Sequence, residues 1–269
     1  TPANCSRKSK APSGCNAAVR LVRKARNAGR DLPKNGQMSL AYGNFYQNPN
    51  SSILKFNQDL KAEKTSHYIL NYQYVNDGKI FRAEAYRKDY DNLVKFDTEM
   101  TSFDSNYNSN GDGYAQGLDV FWRDNTSIKN LDYWVSYSYL DTERNYRNFE
   151  ASAQPGYATN HNLSVVGKYW IDSWKSQVGL SYNFSSGRPY TNPNTNAFLG
   201  ERTKSFNSLS FNWAYLLDQQ KILYFSVNNV LGFNNVNGYQ YANTAGINGQ
   251  FNRRALKPAQ DQFFFVGFF

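Results

Sequence analysis

The chain has 269 residues, 17% of them aromatic, with 21 Tyr and 19 Phe against two Met, and a formal net charge of +9. No run of about eighteen apolar residues exists to form a membrane helix, so a helical membrane protein is excluded, and a mean hydropathy of −0.71 would ordinarily mark a soluble chain. Transmembrane strands escape that criterion, because lipid-facing apolar and lumen-facing polar residues alternate along them and average to a hydrophilic value.

Residues 1–35 stand apart in composition. They hold no aromatic residue, both cysteines (Cys5 and Cys15), one acid (Asp31), and nine of the 30 Lys and Arg. The remainder of the chain is therefore almost neutral, and the basic total does not imply nucleic-acid binding by the main domain. A stretch from Asn16 to Gly29 has helical spacing, with Ala18, Leu21, Val22 and Ala25 on one side and arginines on the other. Such a basic amphipathic helix would suit RNA or anionic lipid, but the composition suits a solvated tail better. The expectation is a disordered head that contributes no strand, and the change of composition near Asn35 raises a foreign or out-of-frame origin for it. There is no apolar signal-peptide core and the first residue is Thr, which predicts a fragment. Cys5 and Cys15 lack the spacing and the companion ligands of a zinc site.

From Gly36 onward the pattern is β. Turn residues recur at Asn76 to Lys79, Asp124 to Lys129, Asp172 to Lys175 and Asp218 to Lys221, roughly 46 to 50 residues apart. Between them lie long polar stretches near Gln47 to Lys64, Asp91 to Gly113, Thr142 to Asn160, Ser186 to Lys204 and Leu231 to Asp261. Alternation with period two fills the rest. Tyr68, Leu70, Tyr72 and Tyr74 share one face; so do Leu131, Tyr133, Val135, Tyr137 and Tyr139, then Val178, Leu180, Tyr182 and Phe184, and Leu209, Phe211, Trp213, Tyr215 and Leu217. Trp122, Tyr139, Tyr169 and Tyr215 fall near strand ends, where amphipathic rings suit headgroup depth.

The chain ends in Phe263-Phe264-Phe265-Val266-Gly267-Phe268-Phe269, a strand that can expose such a row only to an apolar cover. With that strand ending in the periplasm, every short turn falls on the periplasmic side and every long loop outside. The predicted fold is all-β: an antiparallel up-and-down meander of about ten transmembrane strands over residues 36–269, in the cell outer membrane. Its partners would be outer-membrane lipid and lipopolysaccharide. A soluble sugar-binding sandwich is disfavoured, because loops are long on one side only.

The stretches Gly36-Gln37-Met38-Ser39-Leu40-Ala41-Tyr42-Gly43, Asp59 to Tyr68, Ser186-Gly187-Arg188-Pro189-Tyr190, Val227 to Val236 and Asn252 to Pro258 before the Phe run resemble, in this order, the C-terminal barrel portion of a TonB-dependent outer-membrane receptor. The resemblance implies a barrel of roughly 22 strands around an N-terminal plug. It also implies TonB contact through that N-terminal part, and a ligand such as a siderophore, cobalamin, haem or glycan. The chain would then be a C-terminal fragment of a larger outer-membrane β-barrel, and neither the plug nor the TonB-binding motif of the family has a counterpart in it.

Catalysis has little to build on. There are two histidines, His67 and His161, and no nucleophile elbow, P-loop or zincin motif. The enzyme alternative is a self-contained ten-stranded barrel protease, with His161 near Asp141 and Glu143; an adhesin is the non-enzymatic variant. Asp97, Glu99, Asp104 and Asp112 lack a companion His or Cys and read as a solvated surface rather than a metal site. The expectation is a non-enzymatic protein without cofactor or metal. The ligand-contact candidates are loop residues: Arg188 and Tyr190 around Pro189, and Tyr239, Tyr241, Arg253 and Arg254. Their rings offer stacking surface and their guanidinium groups forked donors for carboxylate or phosphate. The competing reading is that Asn-rich loops hydrate the outer surface and that Arg253 and Arg254 meet lipopolysaccharide phosphates.

Overall fold

The computed structural model describes residues 21–32, 35–195, 197–218 and 221–269. Among the described residues fifteen strands form, in chain order: β1 Leu21–Leu32, β2 Gly36–Gln47, β3 Glu63–Asn76, β4 Lys79–Lys95, β5 Asn108–Asp124, β6 Leu131–Asn145, β7 His161–Ile171, β8 Ser176–Ser185, β9 Pro189–Asn192, β10 Ala197–Arg202, β11 Phe206–Asp218, β12 Lys221–Asn228, β13 Gly238–Tyr241, β14 Arg253–Leu256 and β15 Phe263–Phe268. Eleven of them make one antiparallel meander, β1-β2-β3-β4-β5-β6-β7-β8-β11-β12-β15, while β9–β10 and β13–β14 are separate hairpins inside the two last long loops. Among the described residues no helix is long and apolar enough to cross a membrane.

Pairing across the meander sorts the side chains, since directly opposed residues share a face. One row runs Leu40, Leu70, Ala85, Leu118, Tyr139; another Met38, Tyr72, Ala83, Val120, Tyr137, Leu163, Phe184; a third joins Leu180, Phe211, Val227 and Phe264. Among the described residues this face is largely uncovered: Leu40 is 57% exposed, Leu180 51% and Phe264 61%. The opposite face carries the row Ser39, Asn71, Glu84, Asp119, Ser138, Asn162, Ser185. Its polar groups bond one another: Asn71 donates to Glu84 at 3.3 Å, Ser138 to Asp119, Ser185 to Asn162 at 2.8 Å, and Arg123 forks onto Asp132 at 2.9 and 2.8 Å. A single sheet with one apolar and one polar face separates lipid from water, which is the construction of an outer-membrane barrel wall.

The short connections join strands at one end and the long loops at the other, as the turn spacing predicts. Asp124 shows how a short turn is held: its carboxylate accepts from the backbone N–H of Thr126 and of Ser127, both at 2.9 Å, and Thr126 Oγ1 reaches across to Asp77 O at 2.9 Å. Rings gather at this end of the apolar face, with Tyr72, Phe81 and Trp122 in successive contact and Trp213 stacked near Tyr215. Packed apolar residues sit at the other end. Leu93, Val94 and Phe96 are buried where β4 bulges and leaves the sheet.

One expectation needs correction. Of the eleven strands of the main sheet, the first lies in the segment read as a strandless head. Leu21–Leu32 pairs with β2 down to Leu32↔Gly36, so from Leu21 onward the segment expected to be disordered, whose residues 16–29 also have helical spacing, is a strand. Composition misled because a strand is selected by the edge it satisfies. The free N–H and C=O row of β2 outweighs the weak preference of a basic segment, and charged side chains are ordinary on an outer strand. The start of the proposed helix and both cysteines lie outside the described residues.

Two outcomes test this sheet. Val165→Arg, on the apolar face, should cost about 2–4 kcal/mol in urea titrations of the barrel in lipid, while Ser164→Arg on the other face should be tolerated. Removing residues 21–32 should lower the β signal in circular dichroism and weaken the heat-modifiable band, because β2 then becomes an unpaired edge.

Candidate functional site

The long loops dock on one another in sequence and form a collar. Phe56, from the loop after β2, meets Phe103 edge-on at 4.7 Å and stacks on Tyr107 at 5.6 Å. Lys95 Nζ bonds Asn145 Oδ1 at 2.5 Å, and the backbone of Val94 and Phe96 pairs with Arg147. Phe149 meets Phe198 of β10 at 5.0 Å, and Arg202 donates to Gln154 at 2.7 Å.

Asparagine side chains close the later joints by imitating a backbone pair. Asn194 donates to Phe251 O at 3.0 Å and accepts from Phe251 N at 2.8 Å, tying the β9–β10 hairpin to the loop between β13 and β14. Asn235 does the same with Asn207, at 2.8 and 3.0 Å. Asn229, in left-handed conformation with φ of 53°, donates to Phe233 O and Asp261 O and accepts from Phe233 N. Gly187 is required where β8 hands over to β9, because a Cβ there would stand 2.0 Å from Thr203 O.

On this frame the two hairpins bring four of the six candidates together. Tyr190 and Tyr239 have ring centroids 5.0 Å apart, the Arg253 guanidinium lies over the Tyr239 ring at 4.4 Å, and Arg253 Nη1 reaches the Tyr190 hydroxyl at 3.4 Å. The buried Tyr241 hydroxyl lies beside the Tyr190 hydroxyl and the Arg253 guanidinium. The Tyr190 hydroxyl donates to Glu201 Oε2 at 2.6 Å, and Asn192 donates to Glu201 Oε1 at 2.7 Å. Burial first, and then the Glu201 carboxylate, push the Tyr190 hydroxyl above its usual range. The same bond, followed by that from Asn192, holds Glu201 below the ordinary carboxylate value.

Arg188 and Arg254 stand elsewhere. Arg254 pairs with Gln240 while Arg253 pairs with Tyr241, so strand alternation points the two arginines to opposite faces of their hairpin. Arg188 lines a separate cleft at the base of β9. Glu201, Asn192 and Asn194 escaped the sequence reading, because polar loop residues resemble hydration until the register Tyr190↔Glu201 is known. A signal was present in the alternation of Tyr190, Asn192 and Asn194 after Pro189. His161 Nδ1 is 2.9 Å from the Tyr137 hydroxyl, whereas Asp141 takes bonds from Tyr114 and Gln116, so the conjectured His–Asp pairing is not assembled. Asp97 folds its own loop, accepting from Asn106 N at 2.9 Å and from Asn106 Nδ2 at 2.6 Å.

A family model described as TonB dependent receptor-like, beta-barrel matches residues 29–230, three-quarters of the chain. The chain belongs to this family. Its barrel wall is accordingly that of an outer-membrane transporter family, and lipid is the cover of its apolar face. Among solved structures, the chain is similar to the ferric-catecholate import receptor Fiu of Escherichia coli K12, with TM-score 0.65, 14% identity, and 91% of this chain matched to 34% of that one. The iron transporter FrpB of Neisseria meningitidis gives TM-score 0.65 at 10% identity, covering 91% of this chain and 38% of that chain. The ferric yersiniabactin uptake receptor FyuA of Yersinia pestis gives 0.64 at 12%, covering 91% and 36%. The chain thus spans little more than a third of the length of these relatives. No curated protein matches it in sequence.

The Glu201 contact sets a pH dependence. Because the folded value is depressed below 4.5, the stabilisation is present above that pH and is lost as pH falls through the lower folded value. The Glu201 carboxyl resonance, assigned through Glu201→Gln, should titrate below 4.5, and Tyr190→Phe should move its midpoint up toward that value.

Proposed function

We propose that the intact protein is an outer-membrane importer energised by TonB, and that the outer hairpins described here supply part of its ligand-contacting surface. The observation that carries the reading is the convergence of Tyr190, Tyr239, Tyr241 and Arg253, from two loops far apart in sequence, on one place at the loop end of a transporter-family barrel wall. Aromatic rings give stacking surface, and a guanidinium gives forked donors for oxygen-bearing groups. Together they suit a small molecule or glycan that presents both, in the class of siderophores, cobalamin, haem or oligosaccharides. Fiu, FrpB and FyuA are named for iron and ferric-complex import, which supports import of a scarce nutrient without choosing among these. TonB would engage through an N-terminal part of the intact protein. Arg188 and Arg254 remain proposed contacts of a second rank, since neither joins the aromatic cluster.

Uptake by the full-length protein in cells tests the reading. Tyr239→Ala combined with Tyr241→Ala should weaken ligand binding about tenfold or more, as loss of two stacking rings implies, and removal of TonB should abolish uptake while leaving binding intact. Unaltered binding in the double variant would sink the site, and uptake without TonB would sink the importer.

A further inference from the structure

The base of the β9–β10 hairpin holds a second cleft, of about 290 Å³, lined by Ser185, Ser186, Arg188, Thr203, Lys204, Phe206, Val236 and Asn237. Two cations line it and no acid does. Among the described residues neither Arg188 nor Lys204 takes part in a salt bridge, unlike Arg123 or Lys64. The neighbouring charges are spoken for: Arg202 donates to Gln154 and Gly187 O, and Glu201 is held by Tyr190 and Asn192.

The hydroxyls of the cleft are set as donors. Ser186 Oγ accepts two backbone N–H groups, from Asn160 at 2.9 Å and His161 at 3.0 Å, which occupies both lone pairs and leaves its proton to be given away. Thr203 Oγ1 accepts from Arg188 N at 2.9 Å, while Thr203 N bonds Arg188 O, so the two residues that carry the cation and the hydroxyl are locked together. Asn235, clamped to Asn207, fixes the adjoining wall of Val236 and Asn237. The cleft also has a definite side. Ser185 and Phe206 oppose each other in the polar row that runs through Asn162, Ser138 and Asp119, so the cleft faces the lumen and not the lipid.

We infer that this cleft is a binding site for a soluble oxyanion, a carboxylate or phosphate group carried on a partly apolar molecule, held by Arg188 and Lys204 with Ser186 and Thr203 as hydroxyl donors and Phe206 and Val236 against the apolar part. A forked guanidinium beside a point-charge ammonium is the donor set that such groups take, and the acid-free lining leaves nothing inside to compete for them. Arg188 is also a second-rank contact of the import reading, but the inference is tested apart from that reading, since binding is measured on the chain itself.

The test is calorimetric titration of the full chain, folded in uncharged detergent micelles at low ionic strength, with citrate and with pyrophosphate as separate probes. Saturable one-site binding is expected. Arg188→Gln and Lys204→Gln should each weaken it about tenfold or more, as loss of a charge-assisted bond implies, and added salt should weaken it further. Lys257→Gln, which removes one exposed loop cation outside the cleft, should leave it unchanged. Absence of saturable binding would overturn the inference. So would wild-type affinity in the double Arg188→Gln, Lys204→Gln variant with heat-modifiable mobility retained, or an equal loss in Lys257→Gln. Displacement of the probes by a phosphate-headed lipid added to the micelles would assign the residues to a headgroup and also overturn it. Failure of TonB-dependent uptake would leave this titration untouched.

Discussion

In hydrocarbon the backbone N–H and C=O groups of a strand have no partner except another strand, and the rest of this molecule follows from that constraint. It explains why ladders run through eleven strands in sequence order. It also explains why a basic segment such as Leu21–Leu32 is drawn into the sheet: an unpaired β2 edge costs more than a strand of poor propensity. The same constraint permits a sheet with no second layer. The rows from Leu40 to Tyr139 and from Leu180 to Phe264 need no protein above them, because lipid takes the place of a core.

The loop end solves a different problem. There the backbone leaves the ladder and meets water, and order must come from side chains. The collar achieves it with few apolar contacts, chiefly Phe56 with Phe103 and Phe149 with Phe198, and with asparagines that act as lateral pieces of backbone. Asn194, Asn229 and Asn235 each satisfy a main-chain donor and acceptor that no strand reaches. The abundance of Asn in these loops is thus structural at three positions at least, and it is this scaffold that holds Tyr190 against Tyr239 and Arg253 across some fifty residues of chain.

The direction of the strands carries a further geometric consequence. In an eleven-stranded meander both edge strands, β1 and β15, run toward the short-turn end. These two edges would meet parallel, so antiparallel closure requires an odd number of strands between them. The receptors to which the chain is similar are about two and a half times its length, which accommodates such an arrangement.

The sequence by itself determined the strand faces, the side on which each turn and loop falls, the membrane setting and the family. All of these depend on period-two alternation and on local turn chemistry at residues such as Asp77, Gly78 and Asp124, which act within a few positions. What only the tertiary structure decided was pairing at a distance. The β1 strand exists because of the β2 edge, not its own composition. The separation of Arg253 from Arg254 follows from the register of a hairpin that resembles a loop. Glu201, Asn192 and Asn194 acquire roles only when two hairpins dock, and Arg188 leaves the aromatic cluster for a cleft completed by Lys204 and Val236. Local patterns record which solvent a side chain meets; they do not record which loop will lie against which, because that is set by the closure of the sheet beneath.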